Sequence, residues 1–98
     1  MIHGSASFRV RPEELETCLE AIRTFVERVR GEPRTRSYVS LQDSDDPTRF
    51  LHVFAFEDAE AREAHASSEA VKAFTDVLYP RCVEPVAFAV YSEVARAG

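Results

Sequence analysis

Residues 49–56, Arg-Phe-Leu-His-Val-Phe-Ala-Phe, constrain the fold more than any other stretch of the chain. Their composition and alternation predict a strand. By parity, Phe50, His52, Phe54 and Phe56 share one face, and Leu51, Val53 and Ala55 share the other. Both faces are apolar. Such a strand has to be covered on both sides, and a single layer of helices covers only one.

The flanking sequence supplies that layer. Residues 2–10 alternate as a strand, with Ile2, Gly4, Ala6, Phe8 and Val10 on one face and His3, Ser5, Ser7 and Arg9 on the other. Pro12, Glu13 and Glu14 open a helix, because proline suits the first helical position and acids suit the dipole there. Leu15, Cys18, Leu19, Ile22, Phe25, Val26 and Val29 form its apolar stripe. Gly31 is expected to cap its end, and Pro33 blocks continuation. Residues 36–42 predict a second strand, with Tyr38, Ser40 and Gln42 opposite Val39 and Leu41. Asp43-Ser44-Asp45-Asp46-Pro47 is a turn that closes a hairpin onto residues 49–56. Asp58 caps a short helix through His65, and Ser67 or Ser68 restarts it with Val71, Phe74 and Leu78 inward. Tyr79-Pro80 ends the helical run, and residues 86–94 form the last strand.

This order predicts an α+β, ferredoxin-like βαββαβ fold: a four-stranded antiparallel sheet with helices on one face, and the first and third strands side by side in the middle. The chain, residues 1–98, is one domain of a size that gains from pairing. We assign Leu51, Val53 and Ala55 to the helix side, so that Phe50, Phe54 and Phe56 face outward. An exposed aromatic row marks an interface or pocket, and a second copy packed sheet against sheet covers it. His3, Ser5, Ser7, Tyr38, Ser40 and His52 are expected on the same outward face. Aromatic walls with a few convergent polar groups describe a cavity for a small aromatic ligand.

Charge and composition exclude other classes. The net charge is −5 and the longest basic run is Arg34-Thr35-Arg36, which argues against nucleic acid and anionic membrane surfaces. No apolar stretch is long enough to cross a bilayer, and no signal-peptide pattern opens the chain. Cys18 and Cys82 are expected to be reduced thiols of a cytoplasmic protein. The Asp43–Asp46 cluster lacks the glycine and distal glutamate of an EF-hand, and no phosphate-binding loop, dinucleotide glycine pattern or nucleophile elbow occurs.

Several segments, in order and spacing, carry a resemblance. They are Tyr38-Val39-Ser40-Leu41-Gln42-Asp43, Asp45-Asp46-Pro47-Thr48-Arg49-Phe50, Phe56-Glu57-Asp58, Ala61-Arg62-Glu63-Ala64-His65-Ala66-Ser67-Ser68 and Lys72-Ala73-Phe74. Together they resemble the antibiotic biosynthesis monooxygenase (ABM) domain of the dimeric α+β barrel superfamily, over nearly the whole chain. The resemblance implies a homodimer with a pocket between each sheet and its helices or partner. It also implies, for some members, oxidation of quinols or aromatic polyketides by O2 with neither metal nor flavin. Other members of the superfamily degrade haem, cyclise polyketides or have no known chemistry. The chain departs from the family at Phe54, where many members carry Glu, at Phe56, where the aromatic is often Trp, and at Ala70, where many have a second His. It has no Trp or Asn, which haem-degrading relatives use with a His.

His52 and His65 are the candidate catalytic bases, because a histidine titrates near neutrality and can accept a phenolic proton. Tyr38 is a candidate orienting group, and Ser40, Phe50, Phe54, Phe56 and Phe74 complete the expected substrate-binding set. His3 and His52 share a parity and His65 could join them, but no carboxylate completes a ligand set on that face, so no metal is expected. The expected function is a cofactor-independent monooxygenase acting on a small quinol, phenolic or polycyclic aromatic compound. The alternative is a non-catalytic binding or accessory dimer of the same fold.

Overall fold

Local chemistry sets most element boundaries in the computed structural model, which describes all residues, Met1–Gly98. Strand β1 is Ile2–Arg9, and a 3₁₀ turn at Pro12–Glu14 leads into helix α1, Leu15–Val29. Strands β2, Thr35–Gln42, and β3, Arg49–Phe56, form a hairpin. In its turn, Asp43 Oδ1 accepts from the backbone N–H of Asp45 and Asp46, and Asp46 Oδ1 accepts from Thr48, so these carboxylates serve the turn itself. Helix α2 is Ala59–Ala66 and helix α3 is Glu69–Leu78. Asp58 caps α2 by accepting from the Ala61 N–H at 2.9 Å, and Ser68 caps α3 by accepting from the Val71 N–H at 3.2 Å. A 3₁₀ turn at Tyr79–Arg81 precedes strand β4, Ala87–Tyr91.

The sheet runs β2-β3-β1-β4, antiparallel throughout, with β3 and β1 central as the order of elements predicts. This is the ferredoxin-like α+β fold. The core lies between the sheet and the helices, where Phe8, Phe50 and Phe74 meet Cys18, Ile22 and Phe25. No helix is long and apolar enough to cross a membrane.

Several strand ends shift by one residue from expectation, and two boundaries differ in kind or by more. Gly31 does not adopt a left-handed conformation. Instead α1 tightens as it ends, with Gly31 N–H bonding Arg28 C=O and Glu32 N–H bonding Val29 C=O, so its last carbonyls need no left-handed cap. Strand β4 ends at Tyr91 rather than at residue 94, because Tyr91 already pairs with His3 and β1 has almost no residues left to pair beyond it.

The larger difference is the face assignment, which is reversed. Phe50, His52 and Phe56 lie buried on the helix side, whereas Leu51 and Val53 point away from the helices and are exposed, leaving Ala55 the only buried member of that set. Register is the cause. Phe8 pairs with Phe50, Ala6 with His52 and Gly4 with Phe54, so the apolar face of β1 joins the aromatic face of β3. Tyr38 pairs with Phe54 and Ser40 with His52, which carries the same face onto β2. His3, Ser5 and Ser7 therefore lie on the opposite face from His52, and the conceivable His3–His52 metal pair does not form. The open face is aliphatic rather than aromatic: Val39, Leu41, Leu51 and Val53 are each 40–48% exposed.

Candidate active site

Aromatic rings from the covered face of the sheet and from the helices above it lie in mutual contact. Tyr38 stacks on Phe54 with centroids 5.4 Å apart, and Phe25 stacks on Phe74 at 4.4 Å. Phe56 meets His65 at 4.9 Å. Gly4 makes the first of these stacks possible: a Cβ on it would stand 2.5 Å from the Phe54 ring and 3.1 Å from the Ala89 carbonyl oxygen. The absence of a side chain there is what gives Phe54 its place.

Between these rings and helices α2 and α3 lies a cavity of about 390 Å³. Its wall includes Tyr38, His52, Phe54, Phe56, His65 and Phe74, so six of the residues expected at a site from sequence converge on one space. Its exposed members, Arg62, Ala66, Tyr79, Phe88 and Val90, mark the mouth. Ser40 and Phe50 do not line it. They border a separate surface groove against α1, although Ser40 still reaches the site through His52.

His52 is 1% exposed and has both ring nitrogens engaged. Nδ1 lies 2.7 Å from the Tyr38 hydroxyl, and Nε2 lies 2.9 Å from the Ser40 hydroxyl. A neutral imidazole has one donor and one acceptor, so one hydroxyl donates to the ring and the other accepts from it. Burial holds the His52 pKa down to about 4, so the ring is neutral at pH 7. Burial first, and then the charge of the nearby Glu32 carboxylate, push the Tyr38 phenol above its ordinary range, so it keeps its proton.

His65 sits in the last turn of α2. Its Nδ1 lies 2.8 Å from Glu32 Oε1, and Thr35 Oγ1 donates to the same carboxylate oxygen at 2.6 Å. The ring borders the cavity beside Tyr38, at 5.7 Å between centroids. Glu32 is the member of this arrangement that sequence reasoning did not find. It lies 33 positions from His65, in the short connection between α1 and β2. Its one local signal is its place before Pro33, at the point where the helix has to stop.

An aromatic-walled cavity against the covered face of an antiparallel sheet, with hydroxyl and imidazole groups on its wall, defines a ferredoxin-like domain with an internal cavity between sheet and helices. The chain belongs to the antibiotic biosynthesis monooxygenase family, whose sequence profile matches residues 1–77. A crystal structure of an antibiotic biosynthesis monooxygenase is 22% identical, with a TM-score of 0.93 over 97% of this chain and 100% of its own. A protein from Nitrosomonas europaea, provisionally described as an antibiotic biosynthesis monooxygenase, is 25% identical, with a TM-score of 0.92 and the same coverage, 97% and 100%. A protein from Mycobacterium tuberculosis is 18% identical, with a TM-score of 0.90 over 99% and 98% of the two chains. No curated protein matches the chain closely enough to count as a relative.

Proposed function

We propose that the protein is a cofactor-independent monooxygenase that oxidises a small quinol, phenol or polycyclic aromatic compound with O2, acting as a homodimer. The observation that carries this reading is the aromatic-walled cavity of about 390 Å³ with Tyr38 and His65 together on its wall. That volume falls within the range of roughly 300–1,000 Å³ common for small-ligand pockets.

Each group then has a task. Stacked rings such as Tyr38 on Phe54 hold the planar substrate. Tyr38, anchored by His52, orients a substrate oxygen. His65 Nε2 accepts the acidic substrate proton as general base. The resulting anion passes one electron to O2, and the radical and superoxide recombine at a ring carbon as a peroxide. Loss of water leaves a carbonyl there. The substrate thus loses two hydrogens, the acidic one taken by the base and the one on the reacting ring carbon, and gains one oxygen atom; the second oxygen leaves as water, so the four electrons accepted by O2 come from the substrate. The apolar walls shelter the radical pair from solvent.

A second reading, ligand binding without turnover, is favoured by Phe54, which places a ring where many family members carry a carboxylate. Oxygen uptake by metal-stripped protein across quinols and polycyclic phenols separates the two. Uptake above the autoxidation blank, with an oxygenated product, supports the monooxygenase. Saturable binding without uptake supports the binding protein.

The homodimer is proposed through the open sheet face, whose exposed Val39, Leu41, Leu51 and Val53 give a second copy an apolar surface to cover. Sedimentation at micromolar concentration is expected to show a dimer in the wild type and a monomer in Val53→Glu. A wild type that sediments only as monomer would overturn this part.

A further inference from the structure

We infer that Glu32 is a positioning residue: its carboxylate fixes the tautomer of His65 that directs an unprotonated Nε2 into the cavity. The inference rests on the proposed reaction but concerns a residue outside the cavity wall. An ionised carboxylate only accepts hydrogen bonds. At 2.8 Å from Glu32 Oε1, His65 Nδ1 must therefore carry the proton of the neutral ring, which in that form leaves Nε2 with its lone pair.

Three further observations give this bond more than a packing role. Thr35 Oγ1 donates to the same Oε1 at 2.6 Å, so the carboxylate is itself held in place. Pro33, next to Glu32, stiffens the short connection that carries it. Nε2 has no partner within the protein, yet Arg9 Nε is the only fully buried side-chain polar atom that lacks one. His65 Nε2 is thus accessible, on a side chain that borders the cavity. When the imidazole takes a proton there, its Nδ1–H stays bonded to the carboxylate behind it, which holds the ring in one orientation, as orienting carboxylates do for histidine bases generally.

Nitrogen-15 NMR of the histidine side chains reads this directly at neutral pH. In the wild type, His65 is expected to show a protonated, pyrrole-type Nδ1 and an unprotonated, pyridine-type Nε2. Glu32→Ala is expected to release it to the mixed tautomers of a free imidazole, while the His52 signals, held by Tyr38 and Ser40, stay in place. With a substrate that the wild type oxidises, kcat should fall on the order of 10- to 100-fold, part of the roughly 10²- to 10⁴-fold that a positioned base contributes, with KM changed less than about threefold.

A pyridine-type Nδ1 in wild-type His65 overturns the inference without any variant having to fold. So does a Glu32→Ala protein with unchanged His65 signals and undiminished kcat, and that result leaves the monooxygenase reading standing. The reverse combination, the expected tautomer and its loss in Glu32→Ala but no oxygen uptake by the wild type, sustains the role of Glu32 and counts against the monooxygenase.

Discussion

His52 and His65 border the same cavity but stand in opposite situations. His52, on the central strand β3, is buried, with both nitrogens bonded to hydroxyls inside the protein. His65, on α2 at the edge of the cavity, has one nitrogen bonded to a carboxylate and the other free. The partners make the difference. Two hydroxyls satisfy either tautomer of His52, so the ring can be buried neutral without a charged neighbour. A carboxylate accepts only from an N–H, so it admits one neutral tautomer of His65. In the proposed reaction, one imidazole holds Tyr38 in place and the other moves a proton.

The largest predicted stability effect tests how completely His52 is buried. Its folded pKa is lowered from 6.5 to about 4. Between those values the unfolded chain binds a proton that the folded chain does not, so stability rises with pH across this window and is lost as pH falls through it. The loss from pH 7 to below pH 4 is on the order of 3 kcal/mol. Urea unfolding of His52→Gln over the same range should lack this component, since the amide still bonds but does not titrate. A slope equal to that of the wild type would show that His52 is not the group responsible.

Tyr38→Phe comes next. It leaves His52 Nδ1 buried without its partner and should destabilise the protein by about 1–3 kcal/mol. The same change should weaken binding of a phenolic ligand more than of its methyl ether, measured by calorimetry. Equal losses for both would remove Tyr38 as an orienting group.

Gly4→Ala should cost about 1–2 kcal/mol, because the new methyl displaces the Phe54 ring from its stack on Tyr38. Affinity for a planar ligand should fall with it, and thermal unfolding gives the stability term. His65→Gln should have the smallest effect on stability, within about 1 kcal/mol, since His65 lies at the cavity edge rather than in the core cluster. A large loss there would erase the contrast between the two histidines.

The sequence exposes the order of elements, the cap at Asp58 and a second cap at Ser67 or Ser68, because each depends on residues close together in the chain, and the crossover rule applied to that order places β1 beside β3. It does not show which face of β3 the helices cover. Both faces of that strand are apolar, so alternation alone leaves the choice open. Register against β1 decides it, and register depends on connections whose exact paths composition does not reveal. The small polar residues Ser5 and Ser7 were the available clue: they mark the open face of β1, and the aromatics of β3 belong on the other side. Six of the candidate site residues meet at one cavity, but their geometry is not legible in the sequence. The Glu32–His65 bond joins a loop to a helix 33 residues away, and no local pattern encodes such a contact.

The division of labour between the histidines is tested most directly by oxygen uptake under saturating quinol, comparing His65→Gln with the wild type and with His52→Gln. His65→Gln is expected to lose about 100-fold or more in turnover, as removal of a general base does, while still binding the quinol. Undiminished turnover in His65→Gln, with loss confined to His52→Gln, would contradict the account and make the buried histidine the base.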